Sequence, residues 1–380
     1  MNMGGTATYL ANLMRGLEKG EGEHTLVIGN VPNGEVEDPV CAQLNIVRIP
    51  ELSRELSLND FGARKSFKKL VGEYHPEIIH SHTFKAGLVA RTISSPAKRV
   101  HTFHGHHLYD PEFSKVKVSV LNRIEGILAK RSDRLISVGQ RVQDELIQVG
   151  VGSPSQYQSI APGIEPLKLL PKESALEVIN SSLTSKVSRV LADSNGTQVS
   201  ESSEKNQPAI SGARPIVVWL GRFTQVKRPD RVAEIAQILP EIDFVMAGGG
   251  NLEKDFVSSV PNNLFLVGWQ EKEVMWSIAD IGLSTSDSEG MPLSLIEAQM
   301  AGVPVVATEV GSVAEIVEDR VTGRLAGPDS HKLAQAIREV AKLISSSDVM
   351  SKAAKARAER LFSVDVMADA HEELYRGLLR

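Results

Sequence analysis

Short apolar runs recur along the whole chain and alternate with longer segments that mix apolar and polar residues. The short runs have the length and β-branched content of buried strands, and the longer segments have the length of helices. This alternation is typical of parallel sheets covered by helices on both faces. The candidate strands are His24–Gly29, Asn45–Ile49, Glu77–His80, Arg99–Phe103, Leu135–Val138, Ile216–Leu220, Phe244–Ala247, Leu264–Val267, Ile281–Ser284 and Val303–Ala307.

The candidate strands form two sets, separated by a segment of different composition. Each set is large enough for a Rossmann-like, doubly wound sheet, in which ligands bind beyond the carboxyl ends of the strands. Between the sets, Ser194–Ser211 is rich in Ser, Gly, Asn, Gln and Glu and has no aromatic residue, which favours disorder, although Glu173–Leu191 can hold a helix. The predicted divisions are domains at 1–164 and 215–361, a partly disordered linker or insertion at 165–214, and a terminal segment at 362–380.

The first strand of the N-terminal domain is missing from the predicted pattern. Gly4-Gly5 leads directly into a helix-like segment, Thr6–Leu17, whereas such a turn normally follows a strand. In doubly wound sheets the first strand is central, so its loss would leave apolar edges on both neighbouring strands. We therefore expect that the natural start of the chain lies upstream of Met1.

Length and composition exclude several classes of protein. A chain of 380 residues favours two α/β domains, and its 42% hydrophobic and 23% charged residues are ordinary for a globular protein. The single Cys41 permits neither an internal disulfide nor a cysteine metal site. The net charge of −5 disfavours a nucleic-acid partner. Because there is no apolar run of about 20 residues and no signal peptide, a cytoplasmic location is the simplest prediction.

Two cations follow the first strand of the second set. Arg222 and Lys227 lie in the loop between Ile216–Leu220 and a helix that begins near Pro229. Such a loop lies at the carboxyl edge of a parallel sheet, where a guanidinium and an ammonium can neutralise a pyrophosphate. For this pair alone, a solvated surface loop is the alternative interpretation.

Two carboxylates stand eight positions apart at the start of a later helix. Glu289 precedes Pro292, which suits the first helical position, and Glu297 falls in the second turn. Free backbone amides at a helix start favour a phosphate, and carboxylates accept hydrogen bonds from sugar hydroxyls. One helix end could therefore hold a ribose, a pyrophosphate and a second sugar. A loop acid and a solvated helix acid are the alternative.

Six histidines lie at the ends of two strands in the first half: His80, His82, His101, His104, His106 and His107. Imidazoles bind zinc, but a sequence does not show whether three of them converge on one point. We favour instead a single imidazole, His104 beside Gly105, which faces a sugar across the cleft. Packed structural histidines are the alternative for His80, His101 and His107. The Gly248–Gly250 turn lacks the GxGxxG spacing, which counts against a nicotinamide enzyme.

In combination, these residues resemble the retaining glycosyltransferases of family 4, or glycosyl transferases group 1, which have the GT-B fold with two Rossmann-like domains facing a cleft. The resemblance covers nearly the whole chain except the insertion and the missing first strand. The matching motifs are Gly4-Gly5, Ile79–His82, Thr102–Gly105, Ala161–Ile164, Gly221-Arg222 with Lys227, Gly248–Gly250, Val267–Trp269, Glu289–Leu293 with Glu297, Ala301–Thr308, Glu315–Val317 and Phe362–Tyr375. The last of these resembles the family's terminal helices, which cross back to the first domain.

The resemblance implies a catalytic or binding role for several charged residues. Arg222 and Lys227 would hold the donor diphosphate and stabilise it as it leaves. Glu297 would bind the ribose hydroxyls, and Glu289 would contact the transferred sugar. The chain has no Asp-x-Asp pair, and the resemblance accordingly implies protein cations in place of a metal, with no cofactor beyond the nucleotide sugar.

Backbone groups and the other domain complete the site that the resemblance implies. The donor sugar would also be bound by the residues after Glu289, which are Gly290, Met291, Pro292 and Leu293. His104 would approach that sugar from the first domain, and Gly5 would lie near the phosphates and the acceptor.

The predicted function is retaining transfer of a sugar from a nucleotide diphosphate sugar to an acceptor hydroxyl, in the synthesis of a glycan, glycolipid or cell-surface polysaccharide. A non-hydrolysing sugar-nucleotide epimerase of the same fold is one alternative, and it would form its product without an acceptor. A non-catalytic nucleotide-sugar-binding module is another alternative. It is disfavoured because mutational drift in an inactive protein seldom preserves only the ligand-binding residues. Neither the donor sugar, its base, the acceptor nor the oligomeric state follows from the sequence.

A basic segment in the first half suggests a further partner. Phe61–Val71 places four cations beside aromatic residues at helical spacing: Arg64, Lys65, Lys68 and Lys69. Such a face can contact anionic lipid, which would make the enzyme peripheral at the inner membrane face. The alternative is a solvated basic helix whose aromatic residues pack inward.

Overall fold

The chain forms two compact α/β units. The computed structural model describes residues 4–31, 37, 39–53, 59–106, 114–193, 209–250, 252 and 260–380. The first unit comprises Met1–Glu165, Glu289–Leu293 and Arg360–Arg380, and the second comprises Pro166–Ser288 and Ser294–Glu359. Most of the predicted disordered insertion, Ser194–Ser211, lies outside the described residues.

The first unit contains short parallel strands covered by helices. Its helices are α1 (Gly5–Leu17), α2 (Asp60–Tyr74), α3 (Phe84–Thr92), α4 (Lys115–Ala129), α5 (Gln140–Gln148) and the terminal α13 (Val364–Leu379). Its strands are β1 (Leu26–Ile28), β2 (Ile46–Arg48), β3 (Ile78–His82), β4 (Lys98–Phe103), β5 (Arg134–Ser137) and β6 (Tyr157–Ser159).

The strands of the first unit form two separate parallel sheets. β1 pairs with β2, while β3, β4, β5 and β6 form a four-stranded sheet in that order. No strand in the described part of the chain joins the two sheets. The two Rossmann-like domains expected from the sequence are confirmed. In the first of them the described strands divide into a pair and a set of four.

Helix α13 packs against helix α1 within the first unit. A side chain at Gly16 would place its Cβ 2.7 Å from the Cβ of Ala368, so this glycine lets the two helices approach closely. The Asn12 amide donates to the Gly163 carbonyl at 2.8 Å. Ile164 also forms a parallel bridge to Ser363 just before α13 begins.

The second unit is a six-stranded parallel sheet with helices. The strands are β7 (Ile216–Leu220), β8 (Asp243–Ala247), β9 (Leu264–Gly268), β10 (Ile281–Ser284), β11 (Val305–Thr308) and β12 (Gly323–Ala326). The helices are α6 (Lys172–Asp193), α7 (Pro229–Ile238), α8 (Lys272–Ile278), α9 (Leu293–Met300), α10 (Val313–Ile316), α11 (Ser330–Ser346) and α12 (Val349–Leu361). The α9 helix begins at Leu293, one residue after the expected Pro292.

The order of strands defines a switch point in the second sheet. The order is β12-β11-β10-β7-β8-β9, so the chain winds outward from β7 in one direction and then from β10 in the other. β7 and β10 are neighbours, with Val217 opposite Ile281. In doubly wound sheets the crevice at such a switch point is where ligands bind, beyond the carboxyl ends of the strands. This topology makes the loops after β7 and β10 the first place to look for a site.

No helix in the described ranges combines the length and the apolar content that crossing a bilayer would require.

Candidate active site

The loop after β7 is fastened to the loop after β10. Thr285, just beyond β10, accepts a hydrogen bond from the Trp219 indole at 3.2 Å, and its hydroxyl lies 2.9 Å from the Lys227 carbonyl oxygen. The backbone N–H of Asp287 donates to the Val226 carbonyl at 2.8 Å. The two loops at the switch point therefore form one connected structure.

Two arginines that the sequence analysis did not select brace these loops. Arg228 forms ion pairs with Asp230 at 2.7 Å and with Asp287 at 3.1 Å, and hydrogen bonding to Asp230 raises its pKa further above the usual range. Arg231 is buried and bonds Asp287 at 2.9 Å. Their charges are thus committed to the protein.

The two predicted phosphate ligands lie in the same loop. Arg222 is exposed two residues after β7, whereas Lys227 is half-buried at the end of a short 3-10 turn. Neither Arg228 nor Arg231 offers an equally accessible guanidinium, because both are held by Asp287. Arg222 is accordingly the loop arginine that can best reach a diphosphate in solvent.

The Gly248–Gly250 turn packs against the same loop. A Cβ at Gly248 would fall 1.8 Å from the Gly221 carbonyl oxygen, and one at Gly250 would fall 2.7 Å from that of Phe223. Both glycines also have positive φ angles, of 132° and 156°. These glycines therefore serve a tight contact between backbone loops.

Glu297 is a buried carboxylate on the second turn of α9. Only 6% of the residue is exposed, and this burial raises the pKa of its carboxyl group. The Lys272 ammonium, 3.3 Å away on α8, acts in the opposite direction and favours the ionised form, as does the Trp276 indole. Lys272 was not predicted, because nothing in the local sequence indicates which cation meets this carboxylate.

The segment that contains Glu289 packs within the first unit. A Cβ at Gly290 would lie 2.1 Å from the His104 carbonyl oxygen and 3.1 Å from the Gly105 Cα, so only glycine fits there without a shift. A Cβ at Gly5 would meet the Leu293 side chain at 3.7 Å. Glu289 itself is half-buried. Several residues predicted to bind the donor thus come together here, although they are far apart in the sequence.

His104 belongs to a group of packed rings in the first unit that we term the imidazole cluster. It consists of His80, His82, His104 and His371 with Tyr9 and Tyr375. His82 Nδ1 lies 3.1 Å from His104 Nε2, so one ring donates to the other. The Tyr9 ring meets His104 edge-on, with the ring centroids 4.6 Å apart. The orientation of His104 is therefore set by neighbours on α1 and β3.

Hydrogen bonding fixes the tautomer of His371. Its Nδ1 lies 2.7 Å from the Met367 carbonyl oxygen, which can only accept, so this nitrogen carries the proton. Burial lowers the pKa of His371 to about 4, which keeps the ring neutral near pH 7. Its Nε2 must then accept, and it does so from the Tyr9 hydroxyl at 3.2 Å.

His80 provides a second link across the cluster. Its Nε2 lies 2.7 Å from the Thr102 hydroxyl oxygen, and its Nδ1 lies 2.6 Å from the Tyr375 hydroxyl oxygen. Burial holds the pKa of His80 well below its usual value, so the neutral ring donates from one nitrogen and accepts at the other. Hydrogen bonds therefore join α13 both to α1 and to the four-stranded sheet.

The remaining histidines have structural partners. His101 is buried and its Nδ1 lies 2.9 Å from the Ser81 hydroxyl, while burial lowers its pKa well below the usual value. His106 Nε2 lies 2.5 Å from a Glu145 carboxylate oxygen. His107 falls outside the described residues. Within the described ranges, no three His, Cys, Asp or Glu side chains are arranged to hold a metal ion.

Family comparisons match both halves of the chain. The sequence model described as Glycosyltransferase Family 4 matches residues 3–166, and the one described as Glycosyl transferases group 1 matches residues 200–357. The chain belongs to the family 4, group 1 glycosyltransferases. The loops after β7 and β10, with Glu297, fall in the group 1 match, and the imidazole cluster apart from its α13 members falls in the family 4 match.

One relative of this glycosyltransferase is similar over most of its length. The UDP-Gal:alpha-D-GlcNAc-diphosphoundecaprenol alpha-1,3-galactosyltransferase of Escherichia coli is 23% identical over 362 residues, which cover 90% of this chain and 86% of that protein.

Solved structures show that this glycosyltransferase has the GT-B fold. Sucrose-phosphate synthase from Thermosynechococcus elongatus aligns with a TM-score of 0.77 at 20% identity, covering 99% of this chain and 94% of that one. Anabaena HepE in complex with UDP and glucose aligns with a TM-score of 0.71 at 20% identity, covering 98% and 96%.

Proposed function

We propose that this chain is a retaining glycosyltransferase that moves a sugar from a nucleoside diphosphate sugar to an acceptor hydroxyl. The observation that carries the proposal is the switch-point crevice of the second unit. There an exposed Arg222 and a half-buried Lys227 follow β7, and the buried carboxylate of Glu297 follows β10 on α9. Cations suit a diphosphate, and a buried carboxylate suits the hydroxyls of a ribose.

The proposed reaction needs stabilisation of the leaving group. The bond between the sugar C1 and the diphosphate oxygen breaks, and its electron pair stays on that oxygen. Arg222, Lys227 and the amides at the start of α9 neutralise the resulting charge. The acceptor oxygen bonds to C1 on the face that the diphosphate leaves, which retains the configuration, and the hydroxyl proton passes to the departing phosphate. No stable covalent intermediate is required.

The carboxylates and His104 have separate proposed tasks. Glu297, whose ionised form Lys272 favours, accepts hydrogen bonds from the ribose hydroxyls. Glu289 contacts the transferred sugar together with the backbone of the four residues that follow it. His104 offers a neutral imidazole to a sugar hydroxyl, because burial lowers its pKa to about 4.

The donor and acceptor classes are proposed from the relatives. Anabaena HepE is solved with UDP and with UDP-glucose, which supports a UDP-sugar donor here. The Escherichia coli relative is named for a diphosphoundecaprenol acceptor, which supports a lipid-linked acceptor in glycan or glycolipid synthesis. We propose that the reaction proceeds without a metal ion and in the cytoplasm.

Membrane contact through α2 stays a prediction. Phe61 is 75% exposed on this helix, whereas Phe67 packs into the core beneath it. Of the four cations, Arg64 donates to the Thr92 carbonyl at 2.6 Å, and Lys69 pairs with Glu73 at 3.5 Å. These contacts reduce the charge that α2 can offer to a lipid surface.

The proposal is tested by incubating the protein with a panel of UDP-sugars and polyprenyl diphosphate-linked acceptors. A disaccharide product whose anomeric proton has the donor's configuration by NMR supports retaining transfer. A donor at about 100 times its dissociation constant should also add roughly 2.7 kcal/mol to the free energy of unfolding, which selects the sugar. An epimerised nucleotide sugar formed without acceptor would instead identify an epimerase, and stabilisation without turnover would identify a binding module.

The Glu289→Gln variant sharpens this test. We expect transfer to fall by more than about 100-fold while the donor dissociation constant changes by less than about tenfold, because the lost interaction strengthens in the transition state. Single-turnover rates and donor titrations measure the two effects separately. Wild-type turnover in this variant would remove Glu289 from the reaction.

A further inference from the structure

His82, the last residue of β3, contacts His104 directly and has no role in the proposed reaction. Its Nδ1 lies 3.1 Å from His104 Nε2. His104 is half-buried, and its Nδ1 forms no hydrogen bond with the residues that the structure describes. The backbone of His104 also packs against Gly290, which follows Glu289. The Nδ1 of His104 is therefore the nitrogen that can be offered to a sugar hydroxyl.

The bond between the two rings determines which group His104 presents. Burial lowers the pKa of both imidazoles, so both rings are neutral near pH 7. A neutral imidazole has one N–H donor and one acceptor nitrogen. When His82 donates, the Nδ1 of His104 carries the proton, and when His82 accepts, that Nδ1 is an acceptor. The tautomer of His82 thus decides whether His104 donates to a sugar hydroxyl or accepts from it.

Aromatic rings restrict the rotation of His82. The centroid of the His80 ring lies 4.2 Å from that of His82, and the two ring planes are tilted by 33°. The Tyr9 ring lies 5.7 Å away and contacts both His82 and His104. These neighbours keep the Nδ1 of His82 directed at His104.

The backbone immediately after His82 is strained. Thr83 has a φ of 67° and a ψ of 156°, a conformation that a β-branched residue seldom adopts. Its carbonyl oxygen accepts from the Gly87 N–H at 3.0 Å, which ties this residue to the start of α3. Such strain persists only where the surrounding structure imposes it, and it is concentrated at functional sites. The strained turn fixes the end of β3 and, with it, the direction of His82.

We propose that His82 is a positioning residue for sugar transfer, which holds the His104 ring in the orientation and tautomer that meet a hydroxyl of the transferred sugar. This inference rests on the proposed function, because it requires His104 at the donor sugar. His101 shows the contrast with a structural imidazole. It lies on the other face of the same sheet, and its Nδ1 bonds the buried Ser81 hydroxyl rather than a half-buried ring.

Three substitutions of His82 test the proposal. The amide of His82→Asn occupies the place of Nδ1 and can still bond His104, whereas the amide of His82→Gln occupies the place of Nε2, and His82→Leu has no polar group. We expect His82→Leu and His82→Gln to lower kcat about tenfold, and His82→Asn to lower it less than about threefold. The KM for the donor should change less than about twofold, because a hydrogen bond to the sugar strengthens as positive charge develops at C1.

A double-mutant cycle with His104→Ala separates positioning from a general loss of structure. If His82 acts through His104, His82→Leu should have no further effect on kcat in the His104→Ala background, whereas independent effects would multiply. His101→Leu is the matched control, because it removes another Nδ1 hydrogen bond from the same sheet. This control should lower the melting temperature and leave kcat unchanged.

Several results would overturn the role of His82. They are full kcat in His82→Leu or in His104→Ala, equal kcat in His82→Asn and His82→Gln, and multiplicative effects in the cycle. UDP lacks the sugar and should bind each His82 variant as it binds the wild type, so a joint loss of UDP affinity and kcat would also overturn it. A wild-type protein that transfers no sugar would refute the proposed function itself, whereas these results in an active enzyme refute only the role of His82.

Discussion

The imidazole cluster of the first unit and the loop after β7 in the second unit differ in the charge of their side chains and in its accessibility. In the cluster, His80 and His371 are hydrogen-bonded on both ring nitrogens, and burial holds the pKa of each ring below its usual value. In the loop, Arg222 is exposed and keeps a permanent positive charge. One region is neutral and geometrically fixed, whereas the other is charged and accessible.

Glu297 lies between these two extremes. It is buried, like His371, yet Lys272 at 3.3 Å favours its charged form. A buried carboxylate with one cationic partner retains acceptor capacity, because an ionised carboxylate offers about four lone-pair sites. We therefore infer three different roles. The imidazole cluster fixes the orientation of its own side chains, the loop after β7 neutralises charge, and Glu297 binds hydroxyl groups.

The largest expected effect comes from removing the accessible cations. Arg222→Ala and Lys227→Ala should each lower turnover by more than about tenfold, since a hydrogen bond to a charged group contributes roughly 1.5–3 kcal/mol. The melting temperature of Arg222→Ala should stay close to that of the wild type, because an exposed arginine contributes little to stability. Steady-state rates and thermal melts without added divalent metal measure both quantities.

A surface arginine in the same unit serves as the control for this prediction. Arg338 is exposed on α11 and pairs with Glu241 at 2.9 Å, so Arg338→Ala removes an equal charge from an ordinary surface ion pair. Its turnover should be unchanged. Full activity in Arg222→Ala, or activity that disappears with a chelator, would contradict the role of protein cations in neutralising the diphosphate.

An intermediate effect is expected on nucleotide binding. Glu297→Ala should raise the dissociation constant of UDP by about tenfold, because the charged hydrogen-bond acceptor is lost. Lys272→Gln should act more weakly near pH 7.5 and more strongly near pH 6. Without the cation, the pKa of Glu297 rises further, so the carboxyl group is protonated more readily as the pH falls. Isothermal titration at the two pH values measures this difference, and equal affinities at both would exclude an ionised Glu297 from the site.

Hydrophobic periodicity predicted most of the strands, but it did not predict which strands pair with each other. The two strands that it missed, β6 and β12, lie at the edges of their sheets, where a strand has one neighbour and tolerates polar residues. In the first half, the described strands also divide into two sheets. Strand identity is a local property of the sequence, but sheet membership depends on pairing that no window of residues contains.

The residues of the candidate site also differ in whether the sequence alone could identify them. Arg222, Lys227 and Glu297 could be selected from the sequence. Each is a charged residue near the carboxyl end of a strand or the start of a helix, and neighbouring residues are enough to indicate that position. Lys272 and His371 could not be selected, because their importance comes from partners 25 and 362 positions away, on other helices.

The smallest expected effect is a pH dependence of stability that belongs to the imidazole cluster. The pKa of His371 is about 4 in the folded protein and about 6.5 in the unfolded chain, so between these values the unfolded state binds more protons. Lowering the pH from about 7.5 to about 5.5 therefore reduces the free energy of unfolding, by about 1 kcal/mol for this imidazole. His371→Gln keeps a donor and an acceptor but does not titrate, so its stability should fall less over the same interval. Urea unfolding at both pH values measures the two slopes, and His331→Gln, at an exposed position on α11, should retain the wild-type slope. If His371→Gln also retained that slope, the ring would not be a buried neutral imidazole, and the donation deduced from Tyr9 to His371 would lose its basis.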